Sequence, residues 1–128
     1  MSRLALILAL LVLLTACDSG SNEPTLQTGT YTFQTSSPGD IEWSGQITIS
    51  EKEIIDGTGT ATATSDNIEI RTVSLDVGGV YEHPEVRMNW DTGDGVWLVD
   101  TSVNTDGRLR SGTLDLRNGA TFTIFFNR

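Results

Sequence analysis

This chain of 128 residues is nearly without three residue types: it has one cysteine, Cys17, one lysine, Lys52, and one histidine, His83. A single thiol excludes any disulfide within the chain. The remaining bases are arginines that form no cluster, and the net charge is −9. Neutralising phosphates needs clustered Lys and Arg, so nucleic acid is excluded as a partner, and so is a polybasic grip on anionic lipid heads. One imidazole leaves little for acid–base chemistry, and no local motif places an activated nucleophile beside it. Long apolar runs are missing too. The longest, Leu4 to Leu14, has 11 residues, where a membrane-spanning helix needs about 20. Beyond it no long window shows apolar residues at i, i+3, i+4 and i+7, so no helix is expected.

What the first residues do contain is ordered. Met1-Ser2-Arg3 is a short basic start, "LALILALLVLL" follows, and Thr15 and Ala16 are small. An apolar core of about 7–15 residues behind a positive charge is the form of a secretory signal. Leu14-Thr15-Ala16-Cys17 resembles the lipobox of bacterial lipoproteins. The resemblance implies cleavage just before Cys17, a diacylglycerol on its thiol and a further acyl chain, such as palmitate, on the new amino end. Two or three chains, at about 0.8 kcal/mol per buried CH₂, would hold the protein on a bilayer. Asp18 resembles the inner-membrane retention signal of enterobacterial lipoproteins. Other phyla do not follow that rule, so the expected location is the cell envelope, with the choice of membrane open.

The expected division is therefore a signal over 1–16, the lipidated Cys17 with a flexible tether through 28, and one domain over 29–128. The tether, "DSGSNEPTLQT", is polar and holds Gly and Pro. Without residues 1–16, seven bases against 17 acids leave −10. Such acid-rich, lysine-poor surfaces resemble those of salt-adapted proteins, whose carboxylates repel less once salt screens them. Simple solubility is the other reading.

From Gly29 onward the pattern has period two and is rich in β-branched residues. Eight strands are expected: "GTYTFQT", "IEWSGQITI", "TGTATAT", "NIEIRTVSLDV", "PEVRMNW", "VWLVDTSV", "RLRSGTLDL" and "ATFTIFF". In the fourth, Ile68 and Ile70 fall on one parity and Val73, Leu75 and Val77 on the other, so a bulge near Arg71-Thr72 would restore one buried face. Asn104-Thr105-Asp106-Gly107 and Asn118-Gly119 read as hairpin turns, and Asp91 to Gly95 as the fifth–sixth link. Asp56-Gly57 and Gly78-Gly79 read as other joints. Short links make successive strands antiparallel neighbours.

Eight such strands fit an all-β, antiparallel up-and-down barrel, with a two-layer sandwich as the alternative. Gly29-Thr30-Tyr31 resembles the G-x-W opening of lipocalin and avidin-like barrels, with Tyr in place of Trp. Trp43-Ser44-Gly45-Gln46 resembles a strand fragment of biotin-binding barrels. The resemblance implies a binding barrel and assigns no residue to biotin.

Tyr31, Phe33, Trp43, Trp90, Phe122 and Phe126 can all face one side. The first five are the candidate ligand-binding residues, since an eight-stranded barrel either fills with side chains or holds one small ligand. The thin Gly59-Ala61-Ala63 face either leaves that space or receives the large rings. Trp97 and Phe125 point outward if their strands keep parity. Asp91 and Asp94, with Asp100, are weak candidates for calcium, but Asp and Gly are also turn formers. The expectation is thus a non-enzymatic envelope lipoprotein, without cofactor, binding a small lipophilic ligand or an envelope partner. The alternatives are a structural lipoprotein with no ligand and a hydrolase using His83.

Overall fold

The computed structural model describes residues 25–36 and 40–128. The expected signal, Cys17 and most of the tether lie outside the described residues. Within them the chain forms eight strands: β1 (Gly29–Ser36), β2 (Ile41–Glu51), β3 (Ile54–Ser65), β4 (Ile68–Glu82), β5 (Glu85–Asp91), β6 (Val96–Ser102), β7 (Gly112–Asp115) and β8 (Thr121–Asn127). Each pairs antiparallel with the next, and β8 pairs with β1, so the sheet closes as a barrel in chain order. Closure removes both free edges.

Alternation decides what lies inside. In β1 every second residue, Tyr31, Phe33 and Thr35, is buried, and β5 repeats this at Val86, Met88 and Trp90. Register then sets large residues against small ones. Tyr31, Ile47, Gly59 and Leu75 form one inward row, and Phe33, Gly45, Ala61 and Val73 form the next. At Gly45 a Cβ would lie 2.0 Å from the carbonyl oxygen of Thr60, so only glycine lets β2 and β3 approach this closely. The thin face of β3 is therefore where bulky neighbours fit. The result is a continuous apolar core from Leu26 to Ile124.

Four local expectations are corrected. Trp97 lies directly opposite Trp90 across β5 and β6, so it shares the inner face and is buried. β6 starts apolar on both faces, and the larger Trp97 takes the inside while Val96 and Leu98 turn outward. Asp56-Gly57 and Gly78-Gly79 lie inside β3 and β4, with Asp56 opposite Gly78, and the joints there fall at Lys52-Glu53 and His83-Pro84. The expected bulge in β4 is present, at Ile70 beside Arg71, but it does not restore a single buried face: Ile68 and Ile70 remain exposed at the barrel rim. Residues 108–111 lie outside β7. There Leu109 forms only an isolated bridge to Val103, and the buried Thr101 hydroxyl donates to the Arg110 carbonyl at 2.6 Å.

The expected turn at Asn104 to Gly107 is present. The Asn104 side-chain oxygen accepts from the Asp106 and Arg108 N–H groups, and Gly107 has φ +79°. Asp66-Asn67, both at positive φ, form the two-residue link from β3 to β4.

Candidate functional site

The two ends of the barrel differ. At the end where β1 begins, residues 25–28 cross the opening as a strap. Leu26 is buried among the core residues. Gln27 donates its N–H to the Gly107 carbonyl at 2.8 Å and its side-chain amide to the Asp106 carbonyl at 2.5 Å. A Cβ on Gly107 would meet the Thr25 carbonyl oxygen at 2.1 Å. The Tyr31 hydroxyl donates to the Gln27 carbonyl at 2.7 Å, and Arg128 bonds the Gln27 side chain and lies 5.7 Å from the Tyr31 ring centroid. Burial pushes the Tyr31 phenol above its usual 10.0, against the pull of the Arg128 charge. So the last four residues of the expected tether belong to the barrel.

The far end has no such strap among the described residues. Its floor is made by Trp43, Val73, Trp97 and Phe122, each just 7–8 % exposed. The rings of Trp43 and Trp97 meet near-perpendicular at 4.7 Å. Around this floor Ile41, Ile68 and Ile70 are exposed, and register aligns Ile41, Ser65 and Ile68 in one row at the lip. Arg71 of β4 pairs with Asp94 of the β5–β6 link at 2.6 Å.

The five candidate ligand residues therefore divide. Trp43 and Phe122 belong to the far end, with Trp97 added. Tyr31, Phe33 and Trp90 lie deeper, where Phe33 and Trp90 stack at 4.9 Å and Phe126 stands 6.2–6.5 Å from Tyr31, Phe33 and Trp90. The buried indole N–H of Trp90 has no oxygen or nitrogen partner. These rings occupy the interior that an enclosed ligand would need. Four depressions lined by described residues all open on the outer surface.

The other candidates have local roles. Asp91 accepts the Gly93 N–H at 2.8 Å, Asp94 pairs with Arg71, and Asp100 lies 3.8 Å from Arg87. No cluster of three or more metal-ligating side chains occurs among the described residues. His83 is exposed beside a cis bond to Pro84, and its Nδ1 shares a 2.8 Å hydrogen bond with the Tyr81 hydroxyl. No helix of the described residues is long and apolar enough to cross a membrane, which says nothing of strands.

No protein-family model matches the chain, and no curated protein and no solved structure matches it either.

Proposed function

We propose that this chain is a lipid-anchored protein of the bacterial cell envelope whose barrel is a non-enzymatic binding module. The observation that carries the reading is the asymmetry of the two ends. The chain enters through the strap at 25–28, so an acylated Cys17 would stand only the seven residues 18–24 away, at most about 25 Å of extended chain. The strapped end then faces the bilayer, and the aromatic floor at the far end faces away from it.

The filled interior argues for a lipophilic ligand that rests on this floor instead of entering the barrel. Trp43, Trp97 and Phe122 would support its apolar part, within the lip of Ile41, Ile68 and Ile70. A second reading, a structural lipoprotein with no ligand, is favoured by the same filled core.

Two measurements test this. Cys17→Ala should move the protein from the membrane fraction to the soluble fraction; continued membrane attachment refutes the anchor. Native mass spectrometry of the purified protein should show an added mass that is lost on denaturation and is missing from an Ile68→Ser, Ile70→Ser variant. A clean apo mass supports the structural reading instead.

A further inference from the structure

A second surface lies on the outer wall of the barrel, beside the floor just described, and Trp43 borders both. β1 and β2 pair only as far as Gln34 and Ser44, while β1 stays with β8 out to Ser36 and Thr123. Where the ladder stops, the Trp43 N–H donates to the Thr35 hydroxyl at 2.8 Å. The resulting notch is a depression of about 420 Å³ with the buried Thr35 and Trp43 at its base and Gln34, Ser36, Glu42, Ser44, Thr64 and Phe125 as its walls.

Phe125 is 42 % exposed and makes none of the ring–ring contacts found in the core. It stands in one outward row with Gln34, Ser44 and Thr62, across β8, β1, β2 and β3. The notch does not end there. A depression of about 210 Å³ shares Gln34 and Phe125 with it and continues to Asn127. Another, of about 260 Å³, shares Glu42 and Thr64 and continues to Asp66 and Asn67. The three depressions thus lie side by side along the wall, sharing residues, and are taken together as one groove.

Its chemistry selects a ligand. Phe125 offers an exposed aromatic face, above the more buried Phe33, Trp43 and Phe126, and is set among amides, hydroxyls and carboxylates, which offer both donors and acceptors. No Lys or Arg lines any of the three depressions, so an anionic polymer would find only repulsion from Asp40, Glu42 and Asp66. The walls are too polar for a lipid, whose sites are mostly apolar. We propose that this groove binds a chain of uncharged sugar residues, with a pyranose C–H face against the Phe125 ring. Gln34, Ser44, Glu42 and Asn67 would bond its hydroxyls. The proposal does not depend on the anchor.

Titration calorimetry on the full-length protein in detergent tests it, with neutral hexasaccharides of β-linked glucose and of β-linked N-acetylglucosamine, their monosaccharides and an oligogalacturonate as probes. At least one neutral hexasaccharide should bind, more tightly than its monosaccharide, and the oligogalacturonate should not. Phe125→Ala should weaken binding about tenfold, the equivalent of one good aromatic contact, and Phe125→Trp should restore it. An unchanged melting temperature shows that this exposed position leaves the barrel intact. Failure of both neutral hexasaccharides to bind at millimolar concentration, or binding indifferent to Phe125, overturns the proposal.

Discussion

Tyr31 places a phenol wholly inside the barrel and lets only its hydroxyl reach a partner, the carbonyl of Gln27. Tyr31→Phe keeps the packing and loses that hydrogen bond, so stability should fall by about 1 kcal/mol. A lower urea midpoint with unchanged slope would show it. The pH dependence follows from the raised phenol. The protonated form contributes stability that is fully present below about pH 10 and is lost as pH rises through the folded value. The Phe variant should accordingly lose less stability across that alkaline range than the parent; equal losses would show that Tyr31 does not govern it. Other residue-scale features were not readable in advance. Thr35 and Thr101 are buried, each bonding a backbone group beside an interrupted ladder. In sequence they look like the many threonines that face water, because only the strand geometry around them makes their hydroxyls necessary.

At the scale of elements, the strap is held by the hydrogen bonds of Gln27 and by one apolar side chain. Leu26 is 1 % exposed and packs under the end of the barrel. Leu26→Ala should cost about 2–4 kcal/mol and should raise hydrogen exchange at the Gln27 amide before that of β5, since the strap would open ahead of the wall. Uniform protection loss would show instead that strap and wall unfold together. All eight strands and their pairing order were legible, because period-two alternation and the Asn-Gly and Asp-Gly turns are local properties. The strap was not legible, since "TLQT" carries one apolar residue and its partners, Asp106 and Gly107, lie about 80 residues away. The far-end floor was half legible: Trp43 and Phe122 stood out by parity, but Trp97 sat in a stretch apolar on both faces. The outer groove had only Phe125 as a clue. Its walls arise where β1 leaves β2, and no residue pattern announces that parting.

At the scale of the whole molecule, charge is set outside and oil inside. Among the described residues every carboxylate except the half-buried Asp115 is exposed. Ion pairs are few, joining Arg71 to Asp94 and Arg87 to Glu85 and Asp100. Most of the negative charge is therefore uncompensated, and it repels across the surface. Screening shortens from about 10 Å at 0.1 M salt to about 3 Å at 1 M. The thermal midpoint should rise over that range in potassium chloride; a flat response would mean that the carboxylates serve solubility alone.

The strap also fixes how the barrel meets force. Chain entry at Thr25 leads into β1, which pairs with β2 over Gly29 to Gln34 on one side and with β8 over Thr32 to Ser36 on the other. A pull on the chain at Thr25, resisted by anything held at the far end, loads β1 lengthwise. Both ladders are then loaded in shear, with their bonds sharing the strain. Gripping the C-terminus instead, which lies at the same end as Thr25, would peel β8 from β1 one bond at a time. The barrel therefore resists a load applied between Thr25 and its far end better than one applied between Thr25 and Arg128.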